Sequence, residues 1–354
     1  MKVNESNKVK ILPITELEKT ALKNKIFNSV DNLSYRKRNR RNKGLVMSLA
    51  FSLVFLIGIV LCYQNEPNSS ITDFVNTSKL VDFNKTDEVV LVLGNGENLK
   101  IEKKDSNINY SKSGKKLTIG EDTEIEQETS KNSKVAYNTL IIPYGKRSKI
   151  NLSDGTIVWL NSGSKLIYPV VFNGDRRELY LEGEAIFDVA HDKKHPFIVM
   201  SKEQEVKVLG TVFGVTSYPE EGEINTVLKS GSVQISYHND PKLNHYSDKI
   251  KITPGTKATY NKETKGIVSE KVNVNNYFSW RDGVLIFKNN DLSYVMNRIS
   301  RYYNLKVDIK NKNLAKEKFS GYLDLNESID KVVKNISAST NMKYTLEEGK
   351  IIIN

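Results

Sequence analysis

One uninterrupted apolar run dominates the hydropathy pattern near the start of the chain. Residues 45–63 (LVMSLAFSLVFLIGIVLCY) are nineteen consecutive residues without a charge. As an α-helix, this run would be about 28 Å long, which is sufficient to cross the hydrocarbon core of a bilayer. No other apolar run in the sequence approaches this length. The pattern therefore predicts a single transmembrane helix.

The charges that flank the run predict its orientation. Six Lys or Arg residues lie between Arg36 and Lys43, directly before it, whereas polar residues and one acid follow it. Because basic flanks stay in the cytoplasm, residues 1–44 are predicted to be cytoplasmic and residues 64–354 to lie outside. No small-x-small site follows Cys62, which argues against a cleaved signal peptide. An outer part without cysteine favours the periplasm and hence the bacterial inner membrane.

The cytoplasmic segment contains one amphipathic pattern. Thr15 and Glu18 have the spacing of a capping box at a helix N-terminus. An apolar stripe at helical spacing follows, formed by Leu22, Ile26, Ser29, Val30 and Leu33. A single short helix cannot bury such a stripe by itself. We expect it either to lie on the membrane surface beside the basic cluster or to dock on a protein partner.

Beyond the membrane run, the period of the apolar pattern is two. From about residue 89 to residue 277, short alternating segments are separated by turn signals such as Gly94-Asn95-Gly96 and Asp154-Gly155. The segments 91–101 and 150–160 both follow a strand, turn, strand pattern. These features predict an all-β periplasmic domain with a solenoid-like or sandwich-like architecture. The polar segments 64–88 and 121–134 are predicted to be a linker and a loop.

The last part of the chain, residues 278–354, alternates between strand and helix periods. A helical pattern beginning at Leu292 returns 37 residues later, so that Val295 and Met296 match Val332 and Val333. Ile299 matches Ile336 at the same offset. Two tandem helix-strand units of this kind predict a β-α-β-β-α-β-β module. The predicted fold class is thus a membrane-anchored β plus α/β protein.

The net charge of +11 belongs mainly to the N-terminal segment. Residues 1–44 contain twelve basic and four acidic residues and carry +8, which leaves only +3 for the remainder. The outer part is therefore not a basic nucleic-acid-binding domain. With a single cysteine, the chain also lacks the thiolates for a disulfide scaffold or a cysteine-based zinc site.

Candidate catalytic groups have simpler structural interpretations. His191 and His195 flank a predicted turn, where their i, i+4 spacing does not favour a metal site. Glu182 and Glu184 share one face of a strand, which we interpret as a solvated face without an opposing carboxylate. Ser162-Gly163-Ser164 lacks the second glycine of a nucleophile elbow. Trp159 and Trp280 are interpreted as core anchors. We therefore expect no enzyme activity, cofactor or metal.

Several ordered blocks of the sequence resemble FecR-type transmembrane anti-sigma factors, in the Bacteroidetes-like form with a short N-terminal region. These blocks are LSDGTIVWLNSGSKLIYPVVF (152–172), RELYLEGEAIFDV (177–189), HPFIV (195–199), VLGTVFGV (208–215) and WRDG (280–283). The positions that carry the resemblance are Asp154, Gly155, Trp159, Asn161, Tyr168, Pro169, Glu182, Gly183, Glu184, Gly210, Thr211, Phe213, Trp280 and Gly283. Gly214 stands where the family usually has Asn, and we expect this difference to alter a turn.

The resemblance implies a signal relay rather than catalysis. Proteins of this family hold an extracytoplasmic-function sigma factor in the cytoplasm, which would assign the sigma-factor contact to Leu22, Ile26, Val30 and Leu33. Their periplasmic part receives a signal from a TonB-dependent outer-membrane receptor, and site-directed proteases then release the sigma factor. The C-terminal module resembles the short signalling domain of secretins and such receptors.

The module is expected to bind its partner by strand addition at an open sheet edge, and the strands at 350–353 and 317–325 are the candidates. The alternative function is a membrane-anchored periplasmic carbohydrate-binding protein, or an envelope structural protein, that does not bind a sigma factor.

Overall fold

The computed structural model describes residues 15–28, 70–77, 87–102, 105–121, 123–131, 134–238 and 246–354. The predicted membrane run 45–63 and the basic cluster before it lie outside these ranges. Within the described ranges, no helix is long and apolar enough to cross a membrane. Contacts divide the chain into residues 1–68 and residues 69–354.

The N-terminal unit contributes one described helix, α1, which spans residues 16–28. Its N-terminus has the predicted capping box: the backbone N–H of Thr15 donates to Glu18 Oε2 at 3.0 Å, and the backbone N–H of Glu18 donates to Thr15 Oγ1 at 3.4 Å. These bonds occupy backbone donors that the first turn of a helix leaves without partners. The Thr15–Glu18 pair therefore determines where α1 begins.

Two sheets form the body of the second unit. The first sheet contains, in spatial order, β2 (Asn98–Ile101), β1 (Val89–Val92), β8 (Tyr137–Ile142), β11 (Ser164–Pro169), β12 (Arg177–Asp188), β13 (Phe197–Met200), β14 (Gln204–Val208), β17 (Val233–His238) and β18 (Tyr246–Ile252). The second contains β5 (Thr123–Glu126), β4 (Lys116–Ile119), β3 (Asp105–Tyr110), β9 (Arg147–Asn151), β10 (Ile157–Leu160), β12, β15 (Val212–Ser217), β16 (Glu223–Ser230), β19 (Thr256–Asn261) and β20 (Ile267–Lys271). Their inner faces share one apolar core, so the architecture is sandwich-like.

The long strand β12 belongs to both sheets. Its first half pairs with β11 and β13, and its second half pairs with β10 and β15. The change of sheet occurs at Gly183, whose φ of +103° lies outside the range that other residues readily adopt. A Cβ at this position would lie 2.6 Å from the Cα of Ser164. A glycine is therefore required where the strand passes between the layers.

Two segments that were predicted to be irregular contain regular structure. Residues 70–77 of the predicted linker form helix α2 (Ser70–Thr77), which packs on β11 and β12. Its Ile71 is fully buried in the sandwich core, and its Phe74 ring lies 5.1 Å from that of Tyr137. The predicted loop 121–134 contains β5 and the short pair β6 (Ser130–Lys131) and β7 (Lys134–Val135).

The C-terminal module has the predicted order of elements. Helix α3 (Asn275–Phe278) and a 3-10 turn (Ser279–Asp282) lead into it, and they are followed by β21 (Val284–Asp291), α4 (Leu292–Tyr303), β22 (Lys306–Ile309), β23 (Lys318–Asp324), α5 (Ile329–Ser339), β24 (Tyr344–Glu347) and β25 (Lys350–Ile353). The repeat mates share a core: Val295, Met296, Ile299, Val332, Val333 and Ile336 are all fully buried. The 37-residue repeat thus reflects two equivalent helix faces.

The pairing of the module strands corrects one expectation about its edges. β25 lies between β22 and β24, so residues 350–353 form a central strand rather than an open edge. The reason is that the chain returns after α5 with a hairpin whose second strand is inserted beside β22. The other candidate, β23, pairs only with β21 among the described residues.

Candidate functional site: the junction between the β domain and the C-terminal module

A buried ion pair joins the β domain to the C-terminal module. Nη2 of Arg298, on α4, donates to both carboxylate oxygens of Glu184, on β12, at 3.0 and 2.9 Å. The side chains are only 11% and 7% exposed. Asn161 Nδ2 donates to Glu184 Oε2 at 2.7 Å, so the carboxylate is bonded from two directions. Burial alone would lower the pKa of Arg298, but the Glu184 carboxylate more than compensates and the pKa is raised.

This arrangement corrects the interpretation of Glu182 and Glu184 as residues of a solvated face. Alternation along β12 does place Glu184 away from the sandwich core, but the module covers that face, and the residue is buried. Glu182 lies in the half of β12 that belongs to the other sheet and forms an ion pair with the buried Lys165. Each acid is therefore matched with its own cation.

A second arginine of α4 is held by the turn between β15 and β16. Arg301 donates from Nη2 to Glu220 at 2.8 Å and from Nη1 to Glu221 at 2.6 Å. Its guanidinium carbon lies 3.7 Å from the centre of the Tyr218 ring, and the hydroxyl of Tyr218 donates to the carbonyl of Ser162 at 2.8 Å. A guanidinium can stack on an aromatic ring and bond to carboxylates at the same time, which an ammonium group does less well.

The segment between α3 and β21 connects the two parts. Trp280 is 3% exposed, and its carbonyl accepts a hydrogen bond from Arg147 Nη1 at 2.7 Å. Gly283 ends the 3-10 turn in the left-handed conformation at φ +82°, and its carbonyl accepts from the N–H of Leu325 at 2.9 Å. The buried residues Ile186 and Val227 of the β domain belong to the same apolar cluster as the module core. The junction therefore combines apolar packing with buried charge.

Trp159 was predicted to be a core anchor, and it packs against the edge of the module core rather than inside the sandwich core. It lies half-buried on β10, with Lys149 Nζ at 5.7 Å and Arg281 Cζ at 4.9 Å from its ring centre. The difference arises because Trp159 points away from the sandwich core, as the burial of its neighbours Val158 and Leu160 shows.

Other residues of the family resemblance stabilise turns and the core at a distance from the junction. Asp154 accepts from the backbone N–H of Thr156 at 2.9 Å and pairs with the buried Arg177 at 2.8 Å, while Gly155 completes that turn at φ +87°. The hydroxyls of Tyr168 and Tyr110 lie 2.9 Å apart, and Pro169 ends β11.

The glycine, threonine and phenylalanine of the G-T-x-F block also have structural contacts. A Cβ at Gly210 would collide with His191, and the hydroxyl of Thr211 donates to the carbonyl of Ser232 at 3.1 Å. Phe213 stacks on Phe187, with 5.1 Å between ring centres.

Gly214 does not lie in a turn, contrary to the sequence-based expectation. It lies within β15, where it pairs with Ile186 on one side and Val227 on the other. A Cβ there would be 3.6 Å from the ring of Phe278 on α3. This distance is an ordinary van der Waals contact, so the ring of Phe278 packs directly over Gly214.

The residues assigned to sigma-factor contact lie on α1 or beyond it. Leu22 and Ile26 are each 56% exposed, whereas Val30 and Leu33 fall outside the described residues. Leu17 and Phe27 are also exposed apolar residues of this helix, at 85% and 59%. Leu17 and Phe27 lie off the stripe of Leu22 and Ile26, so the helical spacing of that stripe does not predict them as contacts.

The described part of the chain contains no group of three His, Cys, Asp or Glu side chains that could hold a metal ion. His191 and His195 are exposed in the loop between β12 and β13, and His195 Nδ1 lies 2.6 Å from Asp192 Oδ2. This hydrogen bond is the main reason why the pKa of Asp192 falls to about 2.

Sequence reasoning missed Arg298 and Arg301, which carry most of the charge contacts at the junction. Their signal in the sequence was weak: two arginines three positions apart on an amphipathic helix are usually solvated. Only the proximity of Glu184, Glu220 and Glu221 explains their burial.

Comparison with known proteins places this architecture in a family. The model of the FecR protein family matches residues 138–234, which cover β8 to β17, and the FecR C-terminal model matches residues 284–353. The chain contains both domains of the FecR family. The two family models thus match the two parts that the Glu184–Arg298 pair joins.

Solved structures are also similar to a large part of this chain. Two crystal structures of a candidate anti-sigma factor from Parabacteroides distasonis match 61% of this chain and 98% of the compared chain, each with a TM-score of 0.56. The sequence identities are 27% and 28%. None of the curated proteins matches this chain.

Proposed function

We propose that this FecR-family chain is a non-enzymatic transmembrane regulator of the anti-sigma type. Residues 1–44 lie in the cytoplasm, residues 45–63 span the bacterial inner membrane once, and the β domain and module lie in the periplasm. The cytoplasmic segment holds an extracytoplasmic-function sigma factor. A signal from the signalling domain of a TonB-dependent outer-membrane receptor leads to site-directed proteolysis, release of the sigma factor and transcription of uptake genes.

The observation that carries this proposal is the match of both FecR family models in order, together with the similarity to a candidate anti-sigma factor. The exposed apolar residues of α1 support a protein partner for this helix. An amphipathic helix that docks in a groove uses apolar residues at such positions. Each side chain that becomes fully buried could contribute about 1.5–3 kcal/mol, less the cost of ordering the segment.

The test of sigma-factor binding uses the full-length chain, co-expressed with each extracytoplasmic-function sigma factor of its own genome. We expect one of them to co-purify with the chain, and we expect Ile26→Asp to abolish this. Asn24→Asp is the matched control, because residue 24 lies on the opposite side of α1 and should leave binding intact. If no sigma factor co-purifies, or if both substitutions have the same effect, the anti-sigma proposal fails.

A second experiment tests the topology. Alkaline phosphatase is active only in the periplasm, so a fusion after residue 354 should be active and a fusion after residue 30 inactive. This expectation follows from the basic residues before the apolar run. The opposite pattern would contradict the assignment of the β domain to the periplasm.

A further inference from the structure

Helix α2 is the first described element after the predicted membrane run. Its apolar side chains share one face: Ile71 is fully buried, and Phe74 and Val75 are partly buried against the same apolar cluster. Asp73 and Asn76, on the other face of the helix, are exposed. The helix is therefore amphipathic, and the β domain covers its apolar face.

The surface beneath α2 belongs to the outer face of the first sheet. Leu166 on β11 lies opposite Leu181 on β12, and both point into the sandwich, whereas the next pair, Ile167 and Tyr180, points the other way. Ile167 is nevertheless fully buried, and Tyr180 is half-buried. Because α2 packs on both strands, we attribute the burial of this outer pair to α2. Its docking thus covers an apolar strip that is continuous with the sandwich core.

Only a small apolar contact holds α2 in place. With eight residues, the helix is too short to be stable alone in water, so its helical form depends on docking. The apolar contacts come from three side chains: Ile71, Val75 and Phe74, whose ring lies 5.1 Å from that of Tyr137. Segments with few buried apolar contacts open locally while the rest of a domain stays folded. α2 has the properties of such a segment.

The position of α2 in the chain gives its detachment a consequence. Six residues, 64–69, separate the predicted membrane run from α2, and a chain of this length spans at most roughly 20 Å. Twenty-five residues, 64–88, separate the run from β1, and they span at most roughly 85 Å. The docking of α2 therefore determines how much chain connects the membrane run to the first docked element.

We propose that α2 is a releasable latch that controls proteolysis of this chain. While α2 is docked, its peptide bonds are helical and packed, and the connection to the membrane run is only six residues long. A protease cuts a locally opened segment, so the docked form resists cleavage. Release of α2 opens the longer connection to the proteases. This inference rests on the proposed function for the membrane topology and the proteases, and it adds the step that makes cleavage conditional.

The first measurement needs neither a sigma factor nor a receptor. The full-length chain in a nonionic detergent is treated with chymotrypsin, which cuts after Phe74 when α2 is open, and the fragment that begins at Val75 identifies this cut. Ile71→Asp should speed the cut roughly tenfold or more, because a carboxylate at a fully buried position opposes docking. Asn76→Asp adds the same charge at an exposed position of α2 and should leave the rate unchanged.

A milder variant separates release of α2 from loss of folding. Ile71→Ala removes most of the apolar contact without adding a charge, and it should speed the cut by a smaller factor than Ile71→Asp does. Circular dichroism should show the same strand content in both variants as in the unchanged chain, because the sandwich remains folded when α2 is released.

The second measurement follows the full-length chain by immunoblot in the cells from which it comes. Without any inducing signal, Ile71→Asp should lower the amount of full-length chain roughly tenfold, whereas Asn76→Asp should leave it unchanged. Insertion of about twenty Gly and Ser residues between Asn68 and Ser69 lengthens the connection while leaving α2 and its docking surface intact. This insertion should also deplete the full-length chain, and it excludes misfolding of the β domain as the cause.

Two results would overturn the proposal. The first is that chymotrypsin cuts after Phe74 at the same rate in the unchanged chain and in Ile71→Asp. The second is that the full-length chain persists in cells with either Ile71→Asp or the insertion. Ile26→Asp, which tests sigma-factor binding, should change neither measurement, so a failure of the anti-sigma proposal is distinguishable from a failure of the latch.

Discussion

Removing Arg298 should destabilise the protein far more than removing an exposed lysine. Arg298 and Glu184 are 2.9 Å apart and are 11% and 7% exposed, so Arg298→Met leaves the Glu184 carboxylate buried with Asn161 as its remaining bonded side chain. Leaving a buried charge without its partner typically costs about 3–5 kcal/mol. We therefore expect the free energy of unfolding to fall by about 3–5 kcal/mol.

The same reasoning predicts that a second substitution restores much of the loss. In the double variant Glu184→Met, Arg298→Met, no charge remains buried at this point, and apolar replacements of buried ion pairs are often neutral. The coupling energy between the two positions should reach about 2–3 kcal/mol. Urea denaturation followed by tryptophan emission measures this directly, since Trp280 lies in the junction.

The Lys318–Asp291 pair provides a matched control in the same module. Its atoms are 2.7 Å apart, but its side chains are 55% and 44% exposed. Lys318→Met should therefore change the free energy of unfolding by no more than about 1 kcal/mol. The reasoning would be refuted if Arg298→Met lowered the free energy of unfolding no more than Lys318→Met does. It would also be refuted if the double variant were as unstable as Arg298→Met alone. Either result would show that the buried Glu184–Arg298 pair does not stabilise the attachment of the module.

Three further substitutions test the fold. Gly183→Ala should lower the free energy of unfolding by roughly 3 kcal/mol or more, because it combines a left-handed backbone conformation with a collision at Ser164. A loss below about 1 kcal/mol in chemical denaturation would contradict this. Ile299→Ala on α4 and Ile336→Ala, at the matching position on α5, should each lower the free energy of unfolding by about 2–5 kcal/mol. Markedly unequal losses would show that α4 and α5 are not equivalent. Ile352→Pro should unfold the module, because proline lacks the backbone N–H that donates a hydrogen bond from the central strand β25 to its neighbour. An unchanged circular dichroism spectrum would contradict the placement of β25 between β22 and β24.

The sequence identified the elements of this protein better than their arrangement. The 37-residue repeat predicted the order of the C-terminal elements and the buried faces of α4 and α5, because side-chain periodicity is a local property of the chain. The capping box at Thr15 and the paired strands at 91–101 and 150–160 were also visible in local spacing. In these cases a few neighbouring residues determine the structure by themselves.

Helix α2 shows where local reasoning failed. Its eight residues lie in a polar region and were predicted to be part of a linker. A helix this short is marginal in water, so its stability depends on the burial of Ile71 and the packing of Phe74 against the sandwich. That contact joins segments far apart in the sequence, and no local pattern reports it.

Tertiary structure alone decided the character of the junction. The alternation along β12 correctly placed Glu184 away from the sandwich core, but it gave no information on what would cover that face. Arg298 and Arg301 had the spacing of solvated helix residues, and each became buried because the module docks its α4 helix on the acids of the β domain. Periodicity determines which face a residue occupies, whereas the burial of that face depends on contacts between segments more than one hundred residues apart, as Glu184 and Arg298 are.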